Sequence, residues 1–176
     1  MTGYDRERIR REIAALDEPA PNTTTKGRRL QDLMHYLFAE LPGVAVMVKN
    51  HVNLARSEEI DLWLRHAHSG LPFRDPFVPV ECKNEDSRVG AAEIREFEAK
   101  IRNSGGCDGI MVANAGLAGT PGKSAHDAVK MALSRGVLIV VLIGDDLLGV
   151  AYPQQVVDLL HERSIELRLN QGYQTI

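Results

Sequence analysis

Cysteine is scarce in this chain: Cys82 and Cys107 are the two among 176 residues, and they fall in no CxxC or other ligand spacing. That excludes a zinc site built on paired cysteines, and a chain of this length buries a sufficient core without disulfides or structural metals. Long apolar runs are lacking too, since the longest, Val137 to Ile143, is far too short to span a bilayer. The start, Met1-Thr-Gly-Tyr-Asp5, has neither the basic nor the apolar segment of a signal peptide. A soluble chain in a reducing cytoplasm is the expectation. Positive charge is not in excess: 21 Lys and Arg face 24 Asp and Glu, a formal net charge of −3. A protein that coats nucleic acid by bulk attraction is thereby excluded, whereas one with a local basic site is not. The sequence shows no internal repeat, no low-complexity segment, no zinc finger and no clear helix-turn-helix. With no serine or cysteine in a nucleophile elbow, there is also no hydrolase triad to assemble.

The rest is average globular material, 44% hydrophobic and 26% charged, sized for one domain. Residues 4–16 carry Ile9, Ile13 and Leu16 at helical spacing, and Pro19 and Pro21 then break the pattern. We divide the chain into this helix with its linker, residues 1–22, and one domain over residues 23–176. Thr23, Thr24 and Thr25 supply caps for the clearest helix, in which Leu30, Leu33, Met34, Leu37, Phe38 and Leu41 form one stripe, ended by Pro42-Gly43. Strands are predicted at residues 44–48, 60–64 and 77–83, then a helix over 91–101, a strand at 109–113, a helix over 124–134, a strand at 137–143 and a closing helix over 154–162. The last strand is apolar at every position, which suits coverage on both faces. This order predicts an α/β three-layer sandwich, a mixed central sheet flanked by helices.

Chemistry concentrates in two of these strands. In Val80-Glu81-Cys82-Lys83 the period-two alternation of a strand puts Glu81 and Lys83 on one face and Cys82 on the other, where it reads as a small buried hydrophobe. A carboxylate and an ammonium at the end of an apolar strand are costly to bury as plain core, so they pair structurally or serve a site. Asp61 alternates with Ile60, Leu62 and Leu64 and so projects from the opposite face to these aliphatics. If the second and third strands are neighbours, Asp61 and Glu81 come within reach of one hard cation, whose oxygen ligands lie at roughly 2.1 Å for magnesium. Lys83 would stand beside it, and the set has a logic for phosphodiester hydrolysis: charge at the phosphate, an acidified water, and an ammonium for the developing anion. The plain alternative is a strand-end carboxylate and a surface ion pair.

An amphipathic helix, a hairpin with Glu59-Ile60-Asp61-Leu62, a strand with Val80-Glu81-Cys82-Lys83-Asn84, and a later strand with Gly109-Ile110-Met111-Val112 together resemble the PD-(D/E)xK nuclease superfamily. Similarity is strongest to Mrr-type restriction endonuclease catalytic domains and to archaeal Holliday-junction resolvases, over roughly residues 26–147. This resemblance implies Asp61 and Glu81 as metal ligands helped by the backbone carbonyl of Cys82, Lys83 as catalytic cation, and Mg2+ with Mn2+ as substitute. It further implies a DNA substrate, a homodimer for double-strand cleavage, a role in defence against foreign DNA, and specificity from loops or a separate subunit. Many relatives carry a glutamate on the first core helix, and here that position is Gln31, whose amide oxygen is a weaker ligand. A single magnesium is the expectation, and a catalytically silent nucleic-acid-binding scaffold is the rival reading. Lys26, Arg28 and Arg29, near the start of the helix that carries Gln31, are candidate phosphate contacts, with Arg95, Lys100 and Arg102 next in line.

Two other features are weighed and set aside. Gly116 to Ser124 sits between strand and helix as a phosphate-binding loop would, but five residues separate Gly116 from Gly122 where the motif has four, and Gly144-Asp145-Asp146 completes only a weak imitation of an NTPase. His66 and His68 could share a metal by spacing, yet a solvated loop is expected at their position.

Overall fold

The computed structural model describes residues 3–18, 23–52, 59–67, 70–119 and 124–172. Among the described residues eleven elements follow one another: α1 (Arg6–Leu16), α2 (Thr23–Ala39), β1 (Val44–Val52), β2 (Glu59–His66), β3 (Phe77–Lys83), α3 (Ala91–Asn103), β4 (Asp108–Ala113), α4 (Ala125–Ser134), β5 (Leu138–Ile143), α5 (Gly144–Leu147) and α6 (Pro153–Gly172). The strands lie in chain order in one sheet. β1, β2 and β3 pair antiparallel, while β3, β4 and β5 pair parallel. The parallel half needs crossovers, and α3 and α4 supply them.

Alternation along each strand divides the core into two layers. Leu62 and Leu64 of β2, Val78, Val80 and Cys82 of β3, and Ile110 and Val112 of β4 pack against α2 and α6. Met111, Ala113 and Ile139 turn to the other face, where Ile94, Phe97 and Ile101 of α3 and Ala125, Ala128, Val129 and Ala132 of α4 cover them. The three-layer sandwich expected from the element order, in the restriction-endonuclease-like form that the resemblance implies, is therefore the observed fold. α1 joins the first layer: Ile9 and Leu16 are buried there, and the Tyr4 hydroxyl donates to the Leu37 carbonyl at 2.6 Å. α2 ends at Ala39, and Pro42-Gly43 makes the turn into β1, closed by the Val44 N–H donating to the Leu41 carbonyl, with Gly43 at φ 69°, a backbone that glycine adopts without strain.

α3 lies unusually close to the sheet. A Cβ on Gly109 of β4 would come within 2.6 Å of Ile101 Cδ1 and 3.0 Å of Phe97 Cζ, so the glycine is what admits the helix. Three elements differ from the sequence reading: β1 runs on to Val52 rather than ending at residue 48. α5 is an additional short helix, and α6 runs to Gly172 rather than ending near residue 162. Beyond Glu162 the apolar stripe fails, with Ile165 and Leu169 exposed, so periodicity gives no sign of the continuation.

Candidate active site

β2 and β3 pair from Arg65/Phe77 to Leu62/Val80, and their ladder stops there. At the next step the Asp61 side chain takes over: its Oδ2 accepts from the Cys82 backbone N–H at 2.7 Å and its Oδ1 from Gln31 Nε2 at 2.7 Å. The end of a ladder is where a backbone donor is open to a side-chain acceptor, which is why a carboxylate fits at this point. Burial, then the neighbouring Glu81 charge, pushes the Asp61 carboxyl up to about 6, against the pull of the Cys82 N–H, Lys83 and Lys100.

Glu81 is buried on the α3 side of β3 with two ammonium groups on it. Lys83 Nζ lies 3.3 Å from its Oε1, and Lys100 Nζ of α3 lies 3.1 and 3.2 Å from its two oxygens. Lys83 is half-buried, and burial works against its charge, but Glu81, Glu85 and Glu93 outweigh this and hold its pKa above the ordinary lysine value. Asp61, Glu81, Lys83 and Gln31 are thus one cluster, with Cys82 threaded through it by its backbone and its side chain in the core.

Lys100 is the member that sequence reasoning did not place at the centre. It sits beside Ile101 on the edge of the buried stripe of α3, a position shared by several charged residues. Choosing among them requires the register of helix on sheet, which the sequence does not carry.

The donors fit a hard divalent cation. Two carboxylates and a backbone carbonyl are oxygen ligands, and Gln31 Oε1 is buried with no hydrogen-bond partner. An orphan acceptor beside a carboxylate whose ionisation is disfavoured marks a place where added positive charge relieves two costs at once.

The proposed phosphate contacts are differently placed. Arg28 is exposed and lies one helical turn from Gln31. Lys26 pairs with Asp86, and Arg29 donates to the Ala15 carbonyl at 2.6 Å at the end of α1.

A second group, Asp75, Cys107 and Asp108, could be mistaken for a metal site. Asp108, fully buried, accepts from the Arg74 and Asp75 backbone N–H groups, while Asp75 accepts from those of Cys107 and Asp108. These oxygens are spent clasping the 71–76 segment to the start of β4. The Cys107 thiol is pushed up to about 11 by burial and its Asp75 contact, so it offers no ready thiolate.

His66 corrects the loop expectation. It ends β2 fully enclosed, its Nε2 2.7 Å from the Asp75 carbonyl and its ring edge-on to Phe73, because the 71–76 segment folds back over it. His68 lies outside the described residues.

The phosphate-loop imitation dissolves as well: Ser124 caps α4 through a reciprocal pair with Asp127, and Asp146 accepts from Ile143 N and pairs with Arg163 at 2.6 Å. Lys123 is not among the described residues. A cavity of about 490 Å³ opens beside β5, floored by Ile139, Val141 and Ile143, and none of Asp61, Glu81 or Lys83 lines it.

The Mrr_cat restriction endonuclease family matches residues 23–148. In structure the chain is similar to NucC of P. aeruginosa ATCC27853 in a cAAA-bound form, with a TM-score of 0.57 and 14% identity over 93% of this chain and 88% of that one, a likeness of fold. No curated protein sequence matches. Among the described residues no helix is long and apolar enough to cross a membrane. The chain, which carries Asp61 and the Glu81-x-Lys83 pair on neighbouring strands, belongs to the Mrr_cat family of restriction endonucleases.

Proposed function

We propose that this nuclease is a magnesium-dependent endonuclease hydrolysing DNA phosphodiester bonds, with Asp61 and Glu81 as metal ligands, the Cys82 carbonyl assisting, Lys83 as catalytic cation and Gln31 in support. The observation that carries the reading is the convergence of Asp61, Glu81, Lys83 and the unsatisfied Gln31 oxygen at one break in the β2–β3 ladder. A bound magnesium supplies Lewis acidity at the phosphate and an acidified water. Asp61 is held in place by Gln31 and the Cys82 N–H, so its carboxylate needs little reorganisation. Lys83, half-buried and charged, faces the charge that develops on the phosphate oxygens.

Arg28 stands ready for a phosphate beside Gln31, and Lys26 and Arg29 belong to the same proposed DNA-facing end of α2. The rest of the proposal comprises manganese as a substitute ion, a homodimer so that two sites cut two strands, a cytoplasmic setting in defence against foreign DNA, a separate subunit where loops do not suffice for specificity, and the division into a leading segment, 1–22, and the nuclease domain, 23–176.

The test is cleavage of supercoiled, linear and branched DNA and of RNA, each with magnesium, manganese, calcium or chelator. Cutting of DNA with magnesium or manganese, and binding without comparable cutting in calcium, is the expected result. Full activity in excess chelator refutes the metal role. Gln31 in place of the usual glutamate favours one rival, a silent DNA-binding scaffold, and the absence of cleavage on every substrate while DNA still binds selects it. Preference for the branched substrate selects a junction resolvase.

A further inference from the structure

Lys100 has a coordination that resembles a bound ion more than a surface lysine. Its ammonium contacts three oxygens: Oε1 and Oε2 of Glu81 at 3.1 and 3.2 Å and the Glu59 backbone carbonyl at 3.0 Å. The side chain is only 12% exposed. It reaches this place because Gly109 lets α3 settle onto β4, which sets Ile101, and with it Lys100, over the Glu81 face of the sheet. A buried carboxylate left alone is costly, and both oxygens of Glu81 are occupied by this one cation, with Lys83 adding a second contact at Oε1.

We propose that Lys100 is a tethered counter-cation, which neutralises Glu81 while no metal is bound and must release it for a divalent ion to bind, thereby setting the affinity of the site. The inference rests on the reading of Glu81 as a metal ligand. An ammonium and a divalent ion cannot both take the same carboxylate oxygens at close range without mutual repulsion, so the two compete. Lys100 is accordingly a positioning residue: it acts through Glu81, whereas Lys83 is retained beside the reacting phosphate. Its dependence on the Glu59 carbonyl means that release is accompanied by loss of a contact to the start of β2.

The competition is testable by calorimetric titration of full-length protein with magnesium and with manganese, independently of cleavage. Lys100→Met keeps the apolar stem and removes the charge, and its dissociation constant for either ion is expected to fall about tenfold, by analogy with the effect of one like charge on a neighbouring ionisation. Lys100→Arg, which preserves the pairing, is expected to stay near wild type. Mass-spectrometric lysine acylation of the wild-type protein needs no variant: Lys100 is expected to label slowly in chelator and several times faster at saturating magnesium. Unchanged or weakened ion binding in a folded Lys100→Met, or labelling of Lys100 that ignores saturating magnesium, overturns the proposal. A wild-type protein that takes up neither ion removes the ligand role of Glu81 and this inference with it, a result distinct from normal uptake unaffected by Lys100.

Discussion

Replacing Asp61 by asparagine is expected to make the metal-free protein more stable while destroying its activity. Folding lifts the Asp61 carboxyl from its ordinary 3.8 to about 6, through burial first and Glu81 second. At 1.36 kcal/mol per pKa unit, keeping this group ionised at pH 7 costs about 3 kcal/mol at most, and roughly half of that after screening and relaxation. Asparagine removes the charge and keeps the shape. The hydrogen bonds also survive in a rearranged form. Oδ1 can accept from the Cys82 N–H, and a flipped Gln31 amide can receive the new NH2 on its Oε1, the atom that has no partner in the wild type.

The sign with pH follows from linkage. Between about 4 and 6 the folded protein holds a proton on Asp61 that the unfolded chain has released, so wild-type stability falls as pH rises through this window. Asp61→Asn lacks the loss. Its advantage is expected to be absent near pH 4, to grow to about 1–2 kcal/mol by pH 7, and to appear as a rise of a few degrees in melting temperature in chelator. Magnesium should stabilise only the wild type and so narrow or reverse the gap. Thermal and urea unfolding at pH 4, 5.5 and 7, each with chelator or magnesium, measures all of this. A variant less stable than wild type at pH 7 in chelator, or an advantage of equal size at pH 4, refutes the reasoning.

Other perturbations separate the remaining roles. Lys83→Ala and Glu81→Ala should each lower cleavage about 100-fold or more, measured on plasmid DNA, while only Glu81→Ala loses magnesium uptake. Arg28→Ala should reduce the slope of log affinity against log salt by about 0.9, and an unchanged slope places the DNA elsewhere. Asp108→Ala leaves the part-buried Arg74 and Asp75 N–H groups without their acceptor, so the urea midpoint should reveal a loss of about 1–3 kcal/mol. Gln31→Glu should tighten magnesium binding and lower the melting temperature in chelator, and calorimetry with a thermal melt checks both.

The fold was legible where periodicity was strong. Leu30 to Leu41 announce α2 by spacing alone, and Ile60, Leu62 and Leu64 fix which face of β2 carries Asp61. The Glu81-x-Lys83 pair was legible for the same reason, since two residues on a strand share a face whatever the strand packs against. Lys100 was not, because its part depends on how α3 sits over β3 and β4, a tertiary fact set by Gly109 and the stripe from Ile94 to Ile101. His66 was misread because a strand end looks like a loop until its cover, Phe73 and Asp75, is known. The second half of α6 shows the reverse problem: Ile165 and Leu169 face solvent, so the apolar signal is absent although the helix continues.

The charge arrangement also accounts for the one departure from the family pattern. Two acids, Asp61 and Glu81, and two ammonium groups, Lys83 and Lys100, stand close enough for their charges to act on one another, yet the cations are unevenly shared: both contact Glu81, while Asp61 accepts from the neutral Gln31 amide and Cys82 N–H. Burial first and the Glu81 charge second disfavour the ionisation of Asp61, as its raised pKa records. A glutamate at position 31 would set a third negative charge against Asp61, whose ionisation burial and Glu81 already oppose, and the clash would last as long as no metal was bound. Glutamine avoids this, because its NH2 donates to Asp61 and its oxygen stays free to turn toward a cation. On the proposed metal-site reading, glutamine in place of glutamate weakens one ligand and relieves the site while no metal is bound.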